Sequence, residues 1–479
     1  MAFRRDSAPW QRSGSRVKRC HGRKATELHW RRVIGSNAML TLIAASLIAA
    51  CPGCAKVRPP EKPVLSIWHW LADRSDAFDR LAGEFEKEAG PDLKFEPRFN
   101  LYAPTSAYVS KIRAAAQTGK LPDIYGVLME MRDFASLIKS GHVLDLTRYM
   151  DADGGAWKSG FYKSGLSLNT FQEGNQYGVK PGIYGVPLNL NNIQMIYNLD
   201  LLGKAGWGPD RIPAAWNEFL ALGDALKKAG IPGMVSGWGE SWMVHCFADN
   251  MAWNIMGPEK VLATIKGEVP YTDPDWVRVF TLFKEMKDHG LISDGIVTMM
   301  NKEAEQTFAN NRAAIAFNGS WCINVYESMN PDLNYKVALP PRVNAARPMY
   351  VWAGTTSFVV NAASPVKEDA VRFLRWLSEE KQQRYLANST RDIPANKRCA
   401  DMLTGHMAEF AASVDNVVHP RLLPFEEYPL VNEEFDKGIQ SILIGEATPE
   451  EVAGNVQAAK VREMKKAARL MRPDTGGAG

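Results

Sequence analysis

Between residues 64 and 128, apolar runs of strand length alternate with stretches striped at helical spacing, and this alternation constrains the fold more than any other feature of the chain. Val64-Leu-Ser-Ile-Trp-His-Trp70 reads as a short strand. Phe78, Leu81 and Phe85 then recur every three or four residues, which predicts an amphipathic helix over roughly 76–89. Leu93–Phe99 alternates as a second strand, Tyr108–Ala116 as a second helix, and Pro122–Leu128 as a third strand. Parallel strands need a crossover, and a helix supplies it, so this rhythm implies a mostly parallel, doubly wound α/β sheet. The pattern resumes later. Met195–Asn198, Ala314–Phe317 and Thr356–Asn361 read as strands. Trp216, Phe219, Leu222 and Leu226 stripe one helix, and Ala370, Phe373, Leu374 and Leu377 another. Asp273 followed by Pro274 opens a third with a cap and a proline at its first position, ahead of Trp276, Val279, Phe280 and Phe283.

A chain of 479 residues predicts two or three domains. Its net charge of +4 is unevenly spread: the first 50 residues hold ten Lys/Arg and two acids, so the rest is −4. That balance gives no electrostatic reason to expect a nucleic-acid partner. The basic leader precedes a thirteen-residue apolar run, Ala38–Ala50, too short for a comfortable membrane span and suited to a signal peptide over residues 1–50. The run ends Leu47-Ile-Ala-Ala-Cys51, which resembles a bacterial lipobox, with Cys51 as the cysteine to be acylated. The chain would then be exported and lipid-anchored to the cell envelope, with residues 51–62 as a charged, proline-containing tether. A CxxC redox or metal pair, Cys51 with Cys54, is the competing reading, but no second CxxC or histidine pair completes a zinc site. A translation start nearer Leu28 or Val33 is a further reading of the long leader. Residues 472–479 read as a disordered tail.

Six cysteines in so long a chain are not a disulfide framework; buried free thiols are expected, with a Cys246–Cys322 bridge as the alternative. The motifs GxSxG, HExxH, GxxxxGK[ST] and GxGxxG do not occur. Asp151-Ala-Asp-Gly-Gly155 begins like a calcium loop, but Ala156 and Tyr162 stand where such a loop needs Gly and Glu, so it reads as a turn. The acidic pairs Glu379-Glu380, Glu426-Glu427 and Glu433-Glu434 read as solvated faces. No catalytic residue, metal or cofactor is expected.

Several passages resemble the bacterial extracellular solute-binding proteins of family 1. They are Tyr184-Gly-Val-Pro187 followed by Met195–Leu202, Pro213–Phe219, Phe308–Ile315 with Asn318-Gly-Ser-Trp321, Val360–Ser364, Ile393–Asn396 and Ile444–Glu451. Two departures are legible: Ala215 stands where the family has a capping Thr, and Asn311 where it has Gly.

The resemblance implies a two-lobe periplasmic-binding-protein fold, with residues 63–188 plus 356–400 as one lobe and 189–355 plus 401–471 as the other. Crossings are expected near 186–192, 352–356 and 397–415. It implies capture of a carbohydrate, an oligosaccharide, between the lobes, and delivery by a monomer to the permease of an ABC importer. Alternatives are a sensing lipoprotein serving a receptor kinase, a binder of a non-sugar solute such as a polyamine or glycerol phosphodiester, and a secreted carbohydrate-active enzyme. A sugar offers hydroxyls at its edge and flat C–H faces, so its site wants carboxylates or amides and aromatic planes. Aligned by order with the family, the expected ligand contacts are Trp70, Glu130, Asn191, Trp238, Glu240, Trp242, Trp321 and Trp352. Trp238, between two glycines, and Trp321, two residues after Gly319, stand out, whereas Trp216, Trp276 and Trp376 lie on helical stripes and are expected in the core. Arg391 is the one cation expected near a phosphorylated ligand.

Overall fold

The computed structural model describes residues 62–127, 131–208 and 210–470. The signal peptide, Cys51, the tether up to residue 61, Glu130 and the tail 472–479 lie outside the described residues.

Strands β1 (Val64–His69), β2 (Glu96–Leu101) and β3 (Ile124–Val127) are parallel, in the order β2-β1-β3. The helices Ser75–Ala89 and Thr105–Gln117 are their crossovers. Leu65, Ile67 and His69 alternate onto the buried face of β1, and the first helix turns Phe78, Leu81 and Phe85 onto the same core. β4 (Thr170–Phe171) and β5 (Gly182–Ile183) form a separate antiparallel pair. β6 (Val186–Asn198) is buried at twelve of its thirteen positions, because neighbours cover it on both faces. Then follow β7 (Met234–Val235), β8 (Ile315–Gly319), β9 (Tyr335–Ala338), β10 (Val351–Val360), β11 (Ile393–Pro394) and β12 (Val417–Val418).

One sheet runs β2-β1-β3-β10-β6-β8-β7, with β9 and β11 also on β6 and β12 on β10. β2, β1 and β3 are parallel to one another, as are β7 and β8, but β10 and β6 between them run antiparallel to β3, to β8 and to each other, so the sheet as a whole is mixed. The division of labour along these two strands organises the molecule. Val186–Asn192 of β6 pairs with β10, whereas Ile193–Tyr197 pairs with β8. Ser357–Val360 of β10 pairs with β3, whereas Val351 and Trp352 pair with β12. A core with Phe78, Phe85, Phe358 and Phe373 lies on the β1 side, and a larger one with Ile193, Phe219, Phe247 and Phe280 on the β8 side. The chain also passes between them through 397–411, where Lys397 N–H donates to Gly160 O and the Phe410 carbonyl accepts from Asn192 and Gln194.

Local details follow the residue chemistry. Asp273 accepts the Asp275 N–H as a cap. Ala215 has no hydroxyl to offer, and the Glu218 carboxylate instead takes the Ala214 and Ala215 N–H groups. Asn311 adopts the left-handed conformation at φ 56°. The Asp151–Gly155 segment turns the chain between two short helical stretches, left-handed from Asp153 to Gly155. Cys246, Cys322 and Cys399 are buried free thiols.

Candidate functional site

The registers converge on one place. β3 ends at Val127, opposite Ser357 in the middle of β10. β8 ends at Gly319, opposite Ile193 in the middle of β6. The carboxyl ends of both sets of parallel strands therefore point toward residues 191–193 and 353–357, from opposite sides. Ligands of open α/β sheets bind outside such ends.

On the β8 side, Trp321 folds back across Gly319, where a Cβ would lie 2.0 Å from its ring. Its indole N–H donates to Glu305 at 3.1 Å. Trp242 lies 6.2 Å away between ring centroids, with the planes at 50°, and is 41% exposed. Glu240 accepts the Trp242 indole N–H on one oxygen and the Asn301 backbone N–H on the other, each at 2.9 Å. Its carboxylate is thus engaged in holding the ring and capping the helix Asn301–Ala309.

On the β1 side, Trp70 follows the end of β1 and lies on the backbone of Gly126, where a Cβ would come within 2.5 Å of the ring. Tyr108 supports it at 5.2 Å and donates its hydroxyl to Gly126 O at 2.7 Å. Between the sides, Asn191 is partly exposed, and its side-chain oxygen lies over Gly354, the residue opposite it on β10. Trp352 packs on His419 with centroids 4.6 Å apart.

Trp238 corrects the expectation. It is 0% exposed, enclosed by Phe247 and Phe283 at 5.7 and 5.6 Å, and has no face for a ligand. Its flanking glycines serve close packing. A Cβ on Gly237 would lie 2.7 Å from Asn301 and one on Gly239 2.6 Å from Thr298, so the loop lies flush on residues 298–301 and residue 238 turns inward. Glu130 lies outside the described residues. Arg391 is exposed and faces Glu327 at 3.4 Å. Trp216 and Trp276 are core residues as expected, and the Trp376 N–H donates to Glu88.

Sequence reasoning missed Glu305, only 4% exposed. One of its oxygens accepts from Asn301 Nδ2 at 2.9 Å, Trp321 Nε1 at 3.1 Å and Asn318 Nδ2 at 3.3 Å. Burial raises its pKa, and these three donors only partly offset that. The available signal was the spacing of Asn301 and Glu305, four apart on one helical face beside apolar neighbours. Among the described residues no cluster of His, Cys, Asp and Glu could hold a metal ion. None of their helices is long and apolar enough to cross a membrane.

Known proteins match this architecture. The multiple sugar-binding protein of Streptococcus mutans is 20% identical over 360 residues, covering 73% of this chain and 79% of that protein. A maltooligosaccharide ABC transporter solute-binding lipoprotein of Streptococcus pneumoniae is 22% identical over 396 residues, covering 78% and 82%. The structure of a chitin oligosaccharide binding protein superposes with a TM-score of 0.66 at 20% identity, over 85% of this chain and all of that one, which shows the two-lobe fold. Residues 80–415 match the bacterial extracellular solute-binding protein family, whose role is binding and not catalysis. The chain belongs to the bacterial extracellular solute-binding proteins.

Proposed function

We propose that this protein captures a carbohydrate, an oligosaccharide, between its lobes and delivers it to the permease of an ABC importer. The observation that carries the reading is the pair Trp242 and Trp321, two indole planes at the carboxyl end of β8 with Trp242 open to solvent. Apolar planes stack on the C–H faces of sugar rings. Trp70 would meet the ligand from the opposite lobe, and Asn191 and Trp352 from the strands between, with Glu130 beyond β3. Glu240 contributes by holding Trp242. The multiple sugar-binding protein and the maltooligosaccharide ABC transporter solute-binding lipoprotein among its relatives support the ligand class.

The lobes in this reading are 63–188 plus 356–400 and 189–355 plus 401–471, the pairing halves of β6 and β10 supporting the division. The protein works as a monomer held to the envelope membrane through Cys51, and the lipoprotein relative supports that anchor. The test is intrinsic tryptophan fluorescence against a panel of malto-, xylo- and chito-oligosaccharides. A saturable shift with one class, lost in Trp321→Ala and Trp242→Ala, is expected. A response only to phosphorylated or cationic solutes would reject the carbohydrate reading and leave the binding protein standing.

A further inference from the structure

Both indole N–H groups of the tryptophan pair end on carboxylates. Trp242 donates to Glu240 at 2.9 Å and Trp321 to Glu305 at 3.1 Å. Asn301 joins the two acids, giving its backbone N–H to Glu240 and its side-chain N–H to Glu305, each at 2.9 Å. The result is one chain, Trp242–Glu240–Asn301–Glu305–Trp321. The loop before it cannot drift, because Gly237 and Gly239 lie directly on the backbone of 298–301.

A carboxylate 4% exposed is costly to keep out of water. The helix Asn301–Ala309 does not need one there, since Ala304, Phe308 and Ala309 already bury its face. What the acid does accomplish is orientation. An indole turns about two torsions. Gly319 sits under the six-membered ring of Trp321, and Glu305 takes the N–H at the opposite edge, so both torsions are held.

We propose that Glu305 is a positioning residue of the ligand platform: it fixes Trp321 and, through Asn301 and Glu240, sets the angle between Trp321 and Trp242. The proposal rests on the reading that these two rings meet the ligand. A platform set in advance leaves less side-chain freedom to be lost on binding. Two adjoining planes at a fixed angle suit a ligand of at least two sugar rings whose linkage bends them by a similar amount.

The first measurement needs no ligand. Two indoles this close give an exciton couplet in far-ultraviolet circular dichroism, obtained as wild type minus Trp242→Phe. Glu305→Gln keeps an acceptor for the indole N–H and is expected to keep the couplet. Glu305→Met removes the acceptor and is expected to lose the couplet at unchanged or higher Tm, and to weaken binding of the responding panel oligosaccharide by roughly three- to tenfold. A couplet and affinity that both survive in Glu305→Met would overturn the proposal. If that variant does not fold, Glu305→Asp withdraws the acceptor by one methylene while keeping the charge; an unchanged couplet there overturns it equally. If no panel sugar binds the wild type, the carbohydrate reading fails, while the couplet still decides whether Glu305 sets the rings.

Discussion

Trp238 and Trp242 stand four residues apart and meet opposite fates. Trp238 is sealed among Phe247 and Phe283, whereas Trp242 is 41% exposed. Trp238→Ala empties a large core volume and should cost about 3–5 kcal/mol. Trp242→Ala should change stability by no more than about 0.5 kcal/mol and act on ligand response alone. Urea midpoints of the two variants check the contrast. A second residue-scale expectation concerns His245, whose ring lies 3.1 Å from Asp436 and 3.6 Å from Asp249. Burial by itself would depress its pKa, but the two carboxylates outweigh burial and lift it to about 9. The folded-state pKa is above the unfolded one of about 6.5, so the stabilisation is fully present below that pH. It is lost as pH rises through about 9, amounting to about 1–3 kcal/mol. Unfolding free energies from pH 6 to 9.5 should therefore fall in the native protein and stay flatter in His245→Asn. An equal fall in both would assign the effect to another group.

The helices Pro429–Ile444 and Pro449–Leu470 pack on Pro274–Asp288, and a buried ion pair secures them there. Lys460 Nζ reaches both oxygens of Glu427 at 2.7 and 2.8 Å, and Tyr271 donates its hydroxyl to the same carboxylate at 3.0 Å. Lys460→Met would leave Glu427 charged and enclosed, at a cost of about 3–5 kcal/mol. Adding Glu427→Gln should recover part of that, and the double-mutant cycle in denaturant measures how much. This pair was invisible in the sequence, because a lysine and a glutamate 33 residues apart carry no mark of their meeting. Other elements were legible where one face alone is buried, as in Ser75–Ala89, Trp216–Ala229 and Lys367–Leu377. Ser241–Lys266 was not. It is apolar nearly all round, so no stripe separates, and Gly257 with Pro258 breaks its course. In β6 only Met195–Asn198 read as a strand; Asn189, Asn192 and Gln194 interrupt the apolar run because they bond across to Thr356 and Phe410. At the candidate site, the exposed ring of Trp242 and the half-buried Trp321 could be read, since aromatics near turns advertise themselves. Glu305 was missed, because its one mark, Asn301 four residues before it, has the same appearance whether the acid faces water or an indole.

At the scale of the molecule, two cores are joined through β6, β10 and the 397–411 segment, Gln176 and Tyr177 also bond across to Pro424 and Glu426, and the pairing of the two long strands loses regularity at the crossing. The β6–β10 register shifts between Thr356 and Ser357, and Asn189 fills the gap by accepting the Thr356 N–H at 2.8 Å. A bulge bends and twists a strand locally, which places the give between the lobes and not inside either one. A ligand held from both sides should therefore draw the lobes together. Small-angle scattering should show a smaller radius of gyration with the responding oligosaccharide than without it. Binding must also stabilise the folded state, by about 2.7 kcal/mol when free ligand exceeds the dissociation constant a hundredfold. The two readouts separate what each ring contributes. Trp70→Ala removes the plane on the β1 side, so it should weaken the compaction at saturating ligand more than the thermal shift. Trp321→Ala removes the platform itself and should diminish both together. Full stabilisation without compaction in the native protein would place the ligand on one lobe alone, and would take Trp70 out of the site while leaving Trp242 and Trp321 in it.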